Sequence, residues 1–193
     1  MKIGVLALQG AFREHMKMLQ NLGVEAVEVR LPQHLDDLDG LIMPGGESTT
    51  IGKLAIEYGL MEPLRTFAQD KPTWGTCAGM IFLAKELGVN QQPILGLMDI
   101  KVNRNAFGRQ IDSFEVDLDI SVLNGTPFHA VFIRAPIATE AGPSVDILSK
   151  LGDDQIVAAQ QGHLLATAFH PELTDDSRLH QYFIDMIVKT GQK

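Results

Sequence analysis

Gly75-Thr76-Cys77-Ala78-Gly79 is the stretch that decides the fold of this 193-residue chain, and it holds the only cysteine. A short strand-like segment, residues 72–74, precedes it, and residues 80–87 have the apolar pattern of a helix. A Gly-x-nucleophile-x-Gly sequence between a strand and a helix is a sharp turn that exposes the central side chain at the edge of a sheet. The sequence therefore predicts a strand, an elbow at Cys77 and a helix.

Cys77 has two interpretations. Beside a helix N-terminus, the helix dipole and the free N–H groups favour the thiolate, which is the nucleophilic form. The alternative is that a lone intracellular cysteine is a small buried hydrophobic residue. The flanking glycines favour the nucleophile, because side chains beside an exposed thiol at a tight turn would collide.

Composition and charge exclude several classes of protein. The chain is 45% hydrophobic and 21% charged, which is typical of a soluble globular protein. A formal net charge of −8 without a basic tract argues against general binding to nucleic acid or anionic membranes. No apolar run approaches a membrane span, and residues 2–8 have a strand pattern, not that of a cleavage signal. A single cysteine suits a reducing cytosol, so we expect a cytoplasmic protein.

Strand and helix patterns alternate through the first half of the chain. Residues 3–8 are a continuous apolar run, as in a parallel strand that is covered on both faces. The pattern predicts further strands at 25–29, 40–43 and 72–74, and helices at 11–22, 48 to about 57, 61–69 and 80–87. This order predicts a three-layer α/β fold with an open, mainly parallel sheet, flavodoxin-like in type.

The second half has the character of antiparallel structure. Turn-forming sequences separate strands predicted at 99–102, 113–120, 130–133, 145–150, 155–160 and 163–168. We expect antiparallel additions to the same mixed sheet, together with a hairpin. Residues 177–189 predict a final amphipathic helix. No repeat or long linker divides the chain, so residues 1–193 are expected to form a single domain.

Phe169-His170-Pro171-Glu172 follows the last predicted strand and is the second candidate for chemistry. Pro171 biases His170 toward extended backbone, and residues two apart in an extended chain point to the same side. Glu172 can therefore fix the tautomer of the His170 imidazole and aim its other nitrogen at a nucleophile. Without a partner elsewhere in the chain, an ordinary strand end is the better interpretation of these residues.

The other histidines have no comparable companion in the sequence and are expected to be structural or exposed. They are His15, His34, His129, His163 and His180. No two of them sit at metal-ligand spacing with a third donor, so we predict no metal site.

Residues 44–49, Pro-Gly-Gly-Glu-Ser-Thr, follow the third predicted strand. A strand-to-helix turn capped by Ser48 or Thr49 would explain the composition of this loop. The functional interpretation is an oxyanion hole, in which a backbone N–H of the loop, at Gly46, acts with the N–H of Ala78.

A phosphate-binding loop is a near match that fails. Gly46 and the Gly52-Lys53 pair are one residue too far apart, and Leu54 stands where Ser or Thr would bind magnesium. We therefore set nucleotide binding aside and predict no cofactor.

Arginines in two loops, residues 103–110 and 133–136, could bind the α-carboxylate of an amino acid through paired hydrogen bonds. Surface arginines usually have no such role. On physical grounds alone, Arg104 and Arg134 remain weak signals.

The chain resembles the class I (triad) glutamine amidotransferases nearly end to end, and within them the family of glutaminase subunits of pyridoxal 5′-phosphate synthase. The cysteine elbow and His170-Pro171-Glu172 carry the likeness to the superfamily. The segments that select the subunit family are 44–50, Pro-Gly-Gly-Glu-Ser-Thr-Thr, and 104–110, Arg-Asn-Ala-Phe-Gly-Arg-Gln. Residues 4–11, 132–136 and 169–173 complete the resemblance.

The resemblance implies a reaction, a site and a partner. Cys77, His170 and Glu172 would form a triad that hydrolyses L-glutamine through a γ-glutamyl thioester. The implied glutamine contacts are Gly46, Glu47, Ser48, Arg104, Ile133 and Arg134. Ammonia would pass to a barrel-shaped synthase subunit in a large hetero-oligomer, and glutaminase activity would be low until that partner docks.

Three positions depart from the family pattern. Trp74 stands where phenylalanine is usual, Asn103 where glutamate is usual and Ala106 where serine is common. None replaces a catalytic residue, so they affect the expected packing of the substrate site and not the reaction. The open alternatives are a glutaminase serving another amidotransferase, a different cysteine hydrolase on a similar sheet, and a catalytically silent glutamine-binding subunit.

Overall fold

The structure is a computed structural model that describes residues 1–88, 91–104 and 113–192. The strands within these residues are β1 (Lys2–Leu6), β2 (Glu25–Val29), β3 (Gly40–Met43), β4 (Thr73–Thr76), β5 (Ala84–Leu87), β6 (Met98–Asn103), β7 (Ser113–Leu118), β8 (Phe128–Ile133), β9 (Ile137–Ala141), β10 (Asp146–Leu151), β11 (Gln155–Gln161) and β12 (Leu164–Thr167). The α-helices are α1 (Phe12–Asn21), α2 (Ser48–Glu57), α3 (Met61–Asp70), α4 (Ala78–Leu83) and α5 (Arg178–Gly191). None of these helices is long and apolar enough to cross a membrane.

One mixed sheet organises the fold. Its strand order is β2-β1-β3-β4-β12-β11-β9-β6-β5, with β10 paired to β11 outside this path. Parallel pairing runs from β2 to β12, and β12, β11, β9 and β6 pair antiparallel. Every residue of β3 and β4 is buried, as expected for strands covered on both faces. The prediction of an α/β fold with a mainly parallel sheet and antiparallel additions is confirmed.

The helix after Cys77 is shorter than the sequence pattern predicts. It ends at Leu83, and residues 84–87 form β5, which pairs parallel with β6. The cause lies in the later chain. The N–H groups of Leu95 and Leu97 donate to the carbonyls of Phe82 and Leu83 at 2.7 and 3.0 Å. These carbonyls are thereby satisfied outside the helix, and the helical ladder stops.

Two further differences concern the antiparallel half. Within the described residues, β7 and β8 pair only with each other, as the expected hairpin, and do not extend the main sheet. The sequence pattern does not predict β9, whose residues, Ile-Ala-Thr-Glu-Ala, include few with strong strand preference. This strand forms because β6 and β11 pair with it on either side.

The carboxyl ends of β3, β4 and β12 lie side by side and place the candidate site. Met43 pairs with Gly75, and Thr76 pairs with Thr167. The segments that leave these ends contain the Pro-Gly-Gly loop, Cys77 and the His-Pro-Glu sequence. Ligands bind to α/β sheets at such carboxyl edges, so three distant segments meet where chemistry is expected.

Candidate active site

Cys77 sits at a strained turn between β4 and α4. Its backbone has φ 48° and ψ −105°, which is unusual for a residue other than glycine and is typical of functional turns. The flanking glycines are required by close approach, because a Cβ on Gly75 would collide with the backbone of Gly79, and one on Gly79 with the carbonyl of Met43. The Cys77 N–H donates to the Thr167 carbonyl at 2.8 Å, which ties the elbow to β12.

His170 and Glu172 lie together just beyond β12. The distance from His170 Nδ1 to Glu172 Oε1 is 2.7 Å, and both residues are buried. Glu172 belongs to a 3-10 turn, Pro171–Leu173, so the two side chains meet through a tight turn and not through the extended backbone that the sequence predicts. The backbone N–H of His170 donates to the backbone carbonyl of Val131 in β8 at 2.8 Å, which anchors the start of this turn.

The His170 ring bridges the thiol and the carboxylate. Burial lowers the pKa of His170, but hydrogen bonds to Cys77 and Glu172 outweigh burial and raise it. Burial raises the pKa of Glu172, but the neighbouring His15 and His170 rings outweigh burial and lower it. The site therefore favours a protonated His170 imidazole that lies between the Glu172 carboxylate and Cys77.

The Pro-Gly-Gly loop contacts both catalytic candidates. A Cβ on Gly45 would lie 2.9 Å from His170 Nδ1 and 3.2 Å from Cys77 Cβ. The N–H of Gly45 already donates to Thr76 Oγ1 at 3.1 Å, so of the two glycines Gly46 remains the candidate oxyanion donor. Ala78 is the first residue of α4, where an N–H has no partner within its own helix.

Glu47 caps α2, where the sequence predicts Ser48 or Thr49. Its carboxylate accepts the N–H groups of Thr49 and Thr50 at 3.1 and 2.7 Å. Partial burial raises the pKa of Glu47, but bonds from Thr50 and Thr49 outweigh it and lower the value to about 2. The cap prediction fails because the Glu47 side chain reaches the free N–H groups from the position before Ser48, which is itself buried.

Arg104 joins this loop from the end of β6. Its guanidinium lies 3.1 Å from Glu47 Oε1, 3.0 Å from Thr49 Oγ1 and 2.5 Å from Gln92 Oε1. Ser48 Oγ donates to the same oxygen of Gln92 at 3.1 Å. The structure thus brings Glu47, Ser48 and Arg104 into one connected network.

Ile133, from the predicted Ile133-Arg134 pair, also lies beside Cys77. The Ile133 carbonyl oxygen is 3.9 Å from Cys77 Sγ, and Arg134 has a positive φ of 45°. Of the three departures from the family pattern, Trp74 is fully buried and donates to Thr167 Oγ1 at 3.1 Å. Asn103 ends β6, and Ala106 lies outside the described residues together with the rest of segment 105–110.

The expectation that the remaining histidines lack companions is wrong for the buried His15 and His180, and also for the exposed His129, which lies 2.8 Å from Asp117 Oδ1 and 2.9 Å from Glu115 Oε2. His15 Nε2 is 3.3 Å from Glu172 Oε2, and His15 Nδ1 is 2.9 Å from His180 Nε2. A signal exists in the sequence, because His15 lies on the same apolar helical face as Phe12 and Leu19. A histidine in that position must find a buried polar partner.

Comparison with known proteins identifies the family of the chain. The model of the SNO glutamine amidotransferase family matches residues 5–189. A pyridoxal 5′-phosphate synthase subunit PdxT from Pelotomaculum thermopropionicum is 60% identical over 193 residues, covering 100% of this chain and 98% of its own. The subunit of the same name from Carboxydothermus hydrogenoformans is 59% identical, covering 98% of this chain and 99% of its own.

Solved structures agree as well. A crystal structure described as a glutamine amidotransferase superposes with a TM-score of 0.90 at 53% identity, covering 96% of this chain and 98% of its own. The structure of PurLQS from Thermotoga maritima, at 18% identity and a TM-score of 0.71 over 95% of this chain and 97% of the matched one, shares the fold. The chain belongs to the SNO glutamine amidotransferase family.

Proposed function

We propose that residues 1–193 form a single glutaminase domain that hydrolyses L-glutamine and supplies the ammonia for pyridoxal 5′-phosphate synthesis. The observation that carries the proposal is the contact of Cys77 with His170 and of His170 with Glu172. Cys77 and the His170–Glu172 pair come from two distant segments of the chain and meet at one edge of the sheet. The names of relatives that match over nearly their whole length support the assignment to this synthase.

In the first half-reaction, the Cys77 thiolate attacks the side-chain carbonyl carbon of glutamine. The oxygen of the tetrahedral intermediate becomes an oxyanion, for which the N–H groups of Gly46 and Ala78 are the proposed donors. A donor of this kind typically contributes about 3–4 kcal/mol to transition-state stabilisation. The imidazolium of His170 protonates the departing amine, and ammonia leaves behind a γ-glutamyl thioester.

In the second half-reaction, neutral His170 removes a proton from water, which attacks the thioester carbonyl. Collapse of this second intermediate releases glutamate and restores the Cys77 thiolate beside a protonated His170. Glu172 supports both steps, because a carboxylate on Nδ1 holds the ring orientation and stabilises the imidazolium.

The network around Glu47 suits the zwitterionic end of glutamine. The carboxylate of Glu47 can attract an α-ammonium group, and the guanidinium of Arg104 is the usual partner of an α-carboxylate. Their 3.1 Å contact places both charges in one patch beside Gly46. In this proposal Ser48, Ile133 and Arg134 complete the glutamine site.

The proposed partner is the synthase subunit, in a large hetero-oligomer that receives the ammonia. The names of the relatives imply a multi-subunit synthase. We place the assembly in the cytoplasm, where the single cysteine stays reduced. Docking is proposed to raise the glutaminase rate.

The test is ammonia release from glutamine by the wild-type chain and by Cys77→Ala, each with and without the synthase subunit. We expect Cys77→Ala to lose at least about 10⁴-fold in kcat, as for other nucleophile deletions. Thermal stabilisation by glutamine should persist in Cys77→Ala, since the thiol is not a binding contact. Retained turnover in this variant would contradict the triad, and glutamine binding without turnover in the wild-type complex would identify a silent subunit.

A second measurement labels the protein with a glutamine-like electrophile. Because the chain has a single cysteine, mass analysis gives an unambiguous site. Labelling at any residue other than Cys77 would count against the elbow as the nucleophile.

A further inference from the structure

Two buried histidines stand behind the proposed triad, and the mechanism above uses neither. His15 of α1 and His180 of α5 are both fully buried. His15 Nε2 lies 3.3 Å from Glu172 Oε2 and 3.1 Å from Thr76 Oγ1. His15 Nδ1 lies 2.9 Å from His180 Nε2, so the two rings form a chain that ends at the carboxylate.

One of the two carboxylate oxygens of Glu172 can be stabilised by these two histidines. Oε1 faces His170, whereas Oε2 is buried and has no hydrogen bond within the described residues. The 3.3 Å contact with His15 is not aligned as a hydrogen bond, so the attraction is electrostatic. A buried carboxylate oxygen without such a neighbour would be costly, because it has lost its water.

The contacts select one tautomer for each ring. A lone pair on His15 Nε2 would repel the carboxylate of Glu172, whereas an N–H there attracts it. With the proton on Nε2, His15 Nδ1 is an acceptor, and His180 Nε2 must donate to it. His180 Nδ1, which is buried and has no hydrogen bond among the described residues, then carries a lone pair and not an unpaired N–H. Burial lowers the pKa of both histidines, which agrees with two neutral rings.

Thr76 extends the same series of polar contacts to the Pro-Gly-Gly loop. Its hydroxyl oxygen accepts the N–H of Gly45 at 3.1 Å and contacts His15 Nε2. Glu172 and the Pro-Gly-Gly loop are therefore joined by buried polar contacts that pass through His15 and Thr76.

We propose that His15, oriented by His180, is a positioning residue that holds Glu172 in line with His170 and ties it through Thr76 to the Gly45 loop. The inference rests on the proposed function only for its turnover readout. The reactivity of Cys77 toward iodoacetamide gives a second readout, since thiolate formation depends on the His170–Glu172 pair and not on glutamine.

The experiment is a matched pair of substitutions at one position. In His15→Gln the amide nitrogen takes the place of Nε2 and keeps a donor toward Glu172. In His15→Asn the shorter amide reaches only the position of Nδ1, so it keeps the contact with His180 and loses the donor toward Glu172. We expect His15→Asn to lose about 10–100-fold in kcat, as for other groups that orient a catalytic ligand, with KM for glutamine nearly unchanged. His15→Gln should restore most of kcat, and the alkylation rate of Cys77 should follow the same order. The control is His163→Asn, because His163 lies at the opposite end of β12, where its Nε2 is 3.0 Å from the Ala68 carbonyl oxygen.

Assays use the complex with the synthase subunit, and thermal unfolding of each variant is recorded. A wild-type kcat in His15→Asn would overturn the inference, and so would equal losses in both variants that follow their losses of stability. If wild-type protein released no ammonia, the proposed function would fail, but the order of Cys77 alkylation rates would still decide the role of His15.

His180→Phe keeps the inference testable if His15→Asn does not fold. Phenylalanine suits this position, because Trp74 lies against the ring at a centroid distance of 5.0 Å, and it removes the buried Nδ1 that lacks a hydrogen bond among the described residues. The variant leaves His15 Nδ1 without its donor, so we expect kcat to fall about 10-fold while the unfolding temperature is maintained. An unchanged kcat in a folded His180→Phe protein would overturn the inference.

Discussion

Gly45→Ala is the substitution for which the structure gives the sharpest expectation. Gly45 is not in the left-handed region, so alanine fits its backbone and the effect is steric. The new Cβ would lie 2.9 Å from His170 Nδ1 and closer still to Cε1, whereas ordinary contact begins at 3.4 Å. The imidazole must therefore move by roughly 1 Å, and a displacement of that size at a reacting centre costs about 100-fold in rate.

The assay combines kcat for glutamine, alkylation of Cys77 and urea unfolding. We expect kcat and the alkylation rate to fall together, while overpacking lowers the free energy of unfolding by about 1–3 kcal/mol. Gly191→Ala is the matched control, because a Cβ there meets no atom within 4 Å. A kcat in Gly45→Ala close to that of the control would refute the argument that Gly45 leaves room for the His170 ring.

Three further predictions concern stability. Glu47→Gln should lower the free energy of unfolding above pH 4.5 by up to about 1 kcal/mol, as for a largely exposed cap. Because the folded pKa lies below the unfolded value, this difference should vanish as the pH falls through 2 in urea titrations, and a constant difference would contradict it. Trp74→Phe should cost about 2 kcal/mol, since it loses ring volume and the bond to Thr167 at 3.1 Å, with kcat nearly unchanged. Wild-type stability should fall as the pH drops below 6.5, because burial lowers the folded pKa of His180 and the unfolded chain takes up the proton. Unfolding of His180→Phe should take up one proton fewer than unfolding of the wild type, so its free energy of unfolding should depend less steeply on pH below 6.5. Identical pH slopes for the two proteins would show that His180 does not contribute.

The parts of the site that depend on local geometry were accessible from the sequence. The elbow at Cys77 is readable because Gly75 and Gly79 act on backbone within a few residues of themselves. The pairing of His170 with Glu172 is readable from their spacing, although the turn that joins them differs from the expected extended chain. The family resemblance is what predicts that this pair contacts Cys77, because no local pattern encodes the pairing of β4 with β12.

The features that the sequence pattern misses all depend on distant partners. The end of α4 is set by N–H groups of Leu95 and Leu97, and β9 depends on strands on both sides. The contacts of His15 with His180 and Glu172 join the first helix, the last helix and the turn after β12. Helical periodicity predicts that His15 is buried, but it cannot supply the identity of its partner.

The placement of β12 has a consequence for the timing of activity during synthesis. This strand, Leu164–Thr167, inserts between β4 and β11, and pairing over such a sequence separation is slow compared with local folding. A chain still emerging from the ribosome can form the Cys77 elbow well before residues 164–172 are available. Such a chain would hold the proposed nucleophile, Cys77, without the proposed base, His170, and would not hydrolyse glutamine. In the proposed mechanism, ammonia release therefore requires that β12 has entered the sheet, and turnover reports that this pairing has formed.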